Sequence, residues 1–257
     1  MTLIGLGHRM LSKDLVMAPY SDGFGEVLYR NALAKESDVG GFTLEGYGAV
    51  SFPLGRMRLE STRHVDDGQA ANIVLWCPLD FPDDIAISWN FWPIREPGLA
   101  ILFFAALGVD GRDIFDPELA RRTGPYQQYH SGDINAYHIS YFRRKQPTER
   151  AFHTCNLRKS RGFHLVAQGA DPIPSVIDAD PPYRMLVVKR GPSITLVIND
   201  LTCFTWLDDG TVGGPPHTYG KIGFRQMAPL IGEYSDLLIR RIGRGPATQD
   251  VHGEGTA

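Results

Sequence analysis

The chain has 257 residues, 43% of them hydrophobic, and a formal net charge of −3. That length and composition can bury one sizeable core, while the charge lacks the basic excess of a nucleic-acid binder and no run of about 18 apolar residues is present to span a membrane as a helix. The first twenty residues lack a secretory pattern, and Cys77, Cys155 and Cys203 have no CxxC spacing and leave one thiol unpaired in any disulfide scheme, so a cytoplasmic protein with reduced thiols is expected.

The 28 glycines and 18 prolines fall between short apolar runs, as turns do in a β-rich chain. In chain order, strands are predicted over 85–92, 98–107, 135–144, 163–168, 183–189, 194–198, 202–206, 221–226 and 236–242. Their number and spacing predict two packed antiparallel sheets with short helical decorations. KRGPS at 189–193 and Asn199-Asp200 in VINDLTCF read as tight hairpin turns, because these residues tolerate positive φ. Asp116 as cap, Pro117 at the first turn and Gly124 at the exit predict a short helix in FDPELARRTG. One domain over 1–245 is expected, followed by a flexible tail at 246–257.

The familiar catalytic signatures are absent: no HExxH, no GxSxG, no Walker loop and no complete GxGxxG. Aspartates at 66/67, 83/84, 178, 180 and 208/209 have oxygen ligands to offer calcium, but without EF-hand spacing they read as turn residues, so no cofactor or metal is expected.

The densest polar chemistry lies in YHSGDINAYHISYFRR at 129–144. As a strand, it places Asn135, Tyr137, Ile139, Tyr141 and Arg143 on one face, with His138, Ser140, Phe142 and Arg144 on the other. Neither face is cleanly apolar, which suits a strand with a cleft over it. His130 precedes this strand, and FHTCNLRKSRGFHLVAQGADP adds His153, Asn156, Arg158, His164 and Gln168. Trp89 in ISWNFWPI supplies a large ring with an N–H to satisfy. Aromatic planes beside Asn, Gln, Arg and His suit a sugar, whose C–H faces stack while its hydroxyls take polar partners. Taken singly, each His or Tyr is more often a satisfied core or edge residue; as a cluster they point to a ligand cleft.

Two segments, ITLVINDLTCFTWLDDG and GKIGFRQMAPLIGEYSDLLIRRI, resemble the closing strands of the concanavalin A-like lectin/glucanase superfamily. SWNFWPIREPGLAILFFAALG, DIFDP, YQQYHSGDINAYHISYFRR, NLRKSRGFHLVAQGADP and IGFRQM, in that order, resemble the YesU-like family within it, over about residues 85–242. The resemblance implies a jelly-roll β-sandwich with an oligosaccharide or glycoside site on one sheet, and it adds Gln128 and Arg225 to the candidate site residues. The Glu-x-Asp-x-x-Glu strand of the laminarinase-like hydrolases is absent, which removes local support for retaining hydrolysis by two carboxylates. The tyrosine and histidine chemistry of jelly-roll lyases is closer in kind. On that basis the expectation is a glycoside hydrolase or lyase with His138 or His164 as proton carrier and Tyr141 as partner. Trp89, Gln128, His130, Asn135, Arg143, Asn156, Arg158, Gln168 and Arg225 are then the substrate-binding residues. The alternative is a non-catalytic, lectin-like sugar binder, and a homo-oligomer is compatible with either.

Overall fold

The computed structural model of the chain describes residues 24–243; the tail expected at 246–257 lies outside the described residues. In chain order the strands are β1 (Phe24–Asn31), β2 (Thr43–Glu45), β3 (Gly48–Ser51), β4 (Met57–Ser61), β5 (Ile73–Phe81), β6 (Ile85–Arg95), β7 (Leu99–Gly108) and β8 (Ile134–Tyr141). They continue with β9 (Thr154–Ser160), β10 (His164–Ala170), β11 (Tyr183–Arg190), β12 (Ser193–Ile198), β13 (Leu201–Leu207), β14 (Gly220–Met227) and β15 (Ile231–Ile242). Two short helices, α1 (Gln127–His130) and α2 (Pro147–Ala151), flank β8 and its exit.

The strands form two antiparallel sheets. The back sheet runs β13-β12-β11-β6-β15-β4-β3, with β1 also beside β15, and the front sheet runs β10-β9-β8-β7-β14-β5-β2. These are the two packed antiparallel sheets that the strand spacing predicts, arranged as the jelly-roll sandwich that the resemblance implies. Trp89, Phe91, Met185 and Ile239 from the back sheet and Leu102, Phe104, Tyr137, Ile139, Tyr141 and Phe224 from the front sheet share one core. Burying such side chains stabilises each by about 1.5–3 kcal/mol relative to exposure.

Strand β7, LAILFFAALG, is buried on both faces. Its inward residues enter the inter-sheet core, while Leu99, Ile101 and Phe103 join a second apolar cluster with Val74, Trp76, Ile114, Tyr129 and Ile134. The connection from β7 to β8 therefore lies over part of the front sheet's outer face.

The 199–200 hairpin forms as expected, with φ of 48° and 70° at Asn199 and Asp200. The helix expected at 116–124 does not form. Asp116 Oδ1 accepts from the Glu118 amide at 2.9 Å, which closes a local turn, and helix α1 starts only after Pro125. Strand β9 is not among the predicted strands because only Cys155 and Leu157 carry an apolar signal on its inward face, where Lys159 also turns in to Asp208 at 2.8 Å, while Asn156 and Arg158 point outward.

On one long side of the sandwich β10 and β13 run against each other. A β-carbon at Gly169 on β10 would overlap the Cys203 carbonyl of β13, so this approach requires glycine.

Candidate functional site

The register of the front sheet builds the site. One row across its outer face reads Gln168, Asn156, Ser140, Ile101, Arg225, Val74 and Glu45. The next reads Leu165, Arg158, His138, Phe103, Gly223 and Trp76. The β7–β8 connection covers the Arg225–Trp76 end, and the Asn156–Arg158 end stays open.

There a cleft of about 170 Å³ is lined by Leu99, Ile101, Tyr126, Ser140, Arg143, Lys145, Gln146, Glu149, Asn156, Arg158, Phe163 and Met227. Phe163 is 49% exposed and forms an aromatic wall. The Arg158 guanidinium lies 3.7 Å from its ring centroid while Nη1 donates to the Phe163 carbonyl at 3.0 Å. His130 packs on the same ring at 4.5 Å between centroids. Arg143 donates to Thr154 Oγ1 and to Glu149 Oε1, both at 2.8 Å. With its oxygen turned toward Arg143, the Asn156 amide accepts from Nη1 at 3.1 Å, and its nitrogen donates to the Cys155 carbonyl at 3.1 Å beside the Gln168 amide.

Tyr126, His138 and Ser160 form a relay beneath the cleft. Ser160 Oγ donates to the Ala136 carbonyl at 3.2 Å and accepts from the Ala136 amide at 3.0 Å. Its one proton is thereby used, so His138 Nε2–H donates to it at 2.9 Å. His138 Nδ1 is then the acceptor for the Tyr126 hydroxyl at 3.1 Å. Burial holds the His138 ring well below the usual histidine range, with the nearby His130 and Arg225 acting the same way. Burial pushes the Tyr126 phenol up to about 12, against the pull of Arg225, Arg158 and Arg143. At neutral pH the relay is uncharged.

Arg225 lies fully buried under this relay, 4.8 Å from the Tyr126 ring and 5.1 Å from the Tyr129 ring. Nη1 donates to the Gly124 carbonyl at 2.6 Å, and among the described residues Nε and Nη2 have no hydrogen-bond partner.

The structure thus brings Arg143, Asn156 and Arg158 to the cleft wall, with Gln168 and His130 behind them and His138 and Arg225 beneath. Other expected site residues lie elsewhere. Tyr141 and Trp89 face the inter-sheet core, 0% and 2% exposed, with ring centroids 5.8 Å apart. Asn135 shares the inward face of Tyr137. His164 is exposed and packs over Gly162 and Gly213, outside the cleft lining. Gln128 fastens its own loop, accepting from the Thr123 amide at 2.7 Å. Tyr126 and Phe163, missed in the sequence, have weak signals: a tyrosine after Gly-Pro, and a phenylalanine between the arginine of KSRGF and His164.

A second cavity of about 450 Å³ opens between β2 and the 114–123 loop. At its floor Glu45 accepts from Arg122 Nη2 at 2.7 Å and from Trp76 Nε1 at 2.9 Å. Acid and base satisfy each other there, so its larger size does not make it the better site.

Comparison with known proteins agrees with the fold. "Uncharacterized protein YesU" of Bacillus subtilis (strain 168) is 54% identical over 217 residues, 84% of this chain and 96% of the relative. The crystal structure of a Bacillus subtilis protein of unknown function with a galectin-like fold matches at a TM-score of 0.82 and 52% identity, covering 86% of this chain and 99% of that one. A Bacillus licheniformis β-glucanase matches at a TM-score of 0.52 and 14% identity, over 86% of this chain and 99% of that one, a likeness of fold. Residues 26–239 match the model of the domain of unknown function DUF1961, and the chain belongs to that family.

Proposed function

We propose that the protein binds a saccharide in the front-sheet cleft. The observation that carries this reading is Phe163, a half-exposed ring held in place by Arg158 and facing the same cleft as Asn156, Ser140, Arg143 and Tyr126. A sugar ring stacks its C–H face on such an aromatic and gives its hydroxyls to the amide, hydroxyl and guanidinium groups. More distant structures that share the fold include a Bacillus subtilis carbohydrate-binding module and the Emp47p carbohydrate recognition domain, which is consistent with this reading.

Binding is favoured over catalysis by electrostatics. Glu149 is the one carboxylate lining the cleft, and Arg143 engages it, which leaves no second acid for hydrolysis by a pair. Charging His138 is disfavoured by its burial, and further by the nearby His130, Arg225 and Arg158, so the relay takes up a proton reluctantly.

A second reading, an enzyme in which Tyr126 takes a substrate proton and passes its own to His138 Nδ1, is favoured by the relay alone. Calorimetric titration with a panel of oligosaccharides tests the first reading: Phe163→Ala and Asn156→Ala should each weaken the best ligand by about tenfold. Affinity indifferent to both substitutions would refute it. Product formation abolished in Tyr126→Phe, with binding retained, would establish the second.

A further inference from the structure

Resting on the saccharide reading, we infer that the sugar recognised in this cleft is acidic: it carries an anionic group, a uronate carboxylate or a sulfate ester, that docks on Arg158 and Lys145. Three cations, Arg143, Lys145 and Arg158, line the cleft against the single carboxylate of Glu149. That carboxylate is already engaged by Arg143 Nη2 and by the Gln146 amide, each at 2.8 Å. Among the described residues Arg158 has no acidic partner: its contacts are the Phe163 carbonyl and ring. Lys145 Nζ donates to the Ala228 carbonyl at 2.6 Å. Arg225 stands under the same wall with two unpartnered donors.

The bland reading of surface cations is that solvent satisfies them. It fits poorly here, because Arg158 is pinned by a hydrogen bond and a stacked ring while Arg143 stands close enough to oppose its charge. The chain as a whole carries a net charge of −3, so this local excess of positive charge is not a general property of the surface. A guanidinium held in place presents a planar fork matched to two oxygens of a carboxylate or sulfate, and prior immobilisation lowers the entropy lost on docking. Lys145 adds a point charge, and Phe163 stacks the ring that bears the acid.

Calorimetry on the full chain, at low salt and at 0.5 M salt, decides the matter with four kinds of probe: uronic-acid disaccharides, their methyl esters, sulfated disaccharides and neutral disaccharides. The acid or the sulfate is expected to bind at least about tenfold tighter than the ester or the neutral sugar. The preference should shrink in high salt and vanish in Arg158→Ala, with part restored in Arg158→Lys. Which anionic probe wins identifies the source of the charge. The thermal midpoint of the Arg158 variants, unchanged, confirms that the loss is one of recognition.

Equal binding of acid, ester and neutral sugar, all weakened by Phe163→Ala, would overturn the anionic inference and leave the saccharide reading standing. Binding of none of the four would overturn both.

Discussion

Tyr126 Oη lies 3.1 Å from His138 Nδ1, joining a loop residue that lines the cleft to a strand residue that is 1% exposed. Because Ser160 fixes the opposite nitrogen as the donor, the tyrosine proton is committed to the histidine. On the proposed saccharide reading, the Tyr126 oxygen is left to accept a hydrogen bond from a ligand hydroxyl at that point of the wall.

Removing the phenol leaves a buried ring nitrogen without its donor. Tyr126→Phe is expected to lower unfolding free energy by about 1–3 kcal/mol, and His138→Ala, which also empties space beside Phe103, by about 2–4 kcal/mol. Chemical denaturation measures both; a Tyr126→Phe protein as stable as the parent would show that the bond contributes nothing.

The second buried polar cluster is structural. Lys159 and Asp208 pair at 2.8 Å, each side chain 0% exposed, and Tyr137 donates to the same carboxylate at 2.5 Å. Asp208→Ala strands a charge in the core and should cost about 3–5 kcal/mol. Glu118→Ala removes an exposed pair with Arg112 and should cost less than about 1 kcal/mol. Similar losses in the two variants would contradict the assignment of burial as the cause.

Acid should destabilise the protein through its neutral histidines. Burial lowers His217 to about 4 and holds His138 well below its usual range. Between about pH 6.5 and the folded values the unfolded chain binds more protons, so stability falls as pH drops, by up to about 1.4 kcal/mol per pH unit for each histidine. Denaturation midpoints of the parent and of His217→Asn at pH 7.5, 6 and 5 test this. The variant should lose less between the first and last; parallel curves would rule His217 out.

Inward and outward neighbours on β8 and β9 should separate binding from packing. Tyr141→Phe alters only the core and should leave saccharide affinity unchanged, whereas Ser140→Ala and Asn156→Ala, side by side on the outer face, should weaken it. Loss of affinity in Tyr141→Phe would place the site elsewhere.

The alternation in INAYHISY was legible, and His138 does share a face with Ser140. The expectation that Tyr141 and Arg143 share one face, and Phe142 and Arg144 share the other with His138, fails, because φ is 45° at Phe142 and the alternation breaks there, leaving Tyr141 and Phe142 both in the core. Arg143 consequently joins the cleft, while Arg144 turns inward to the Ile173 carbonyl and to Asp171 at 3.5 Å. Nothing in FRR marks that change of phase. Phe163 was likewise hidden: an exposed aromatic carries no periodic signal, and its role depends on Arg158, five residues away across the β9–β10 turn. The aspartates at 83 and 208 serve ion pairs with Lys189 and Lys159, long-range partners that local spacing cannot show.

The meeting of β10 with β13 at Gly169 also governs how copies of the chain behave toward one another. Two sheet edges that shield each other offer little free ladder for intermolecular strand pairing. On the opposite side, β2 and β3 have only three and four residues, and β1 is broken by register shifts and carries Glu26 and Arg30. A bulky residue at 169 is expected to prise the shielded side open and promote aggregation, which light scattering would detect.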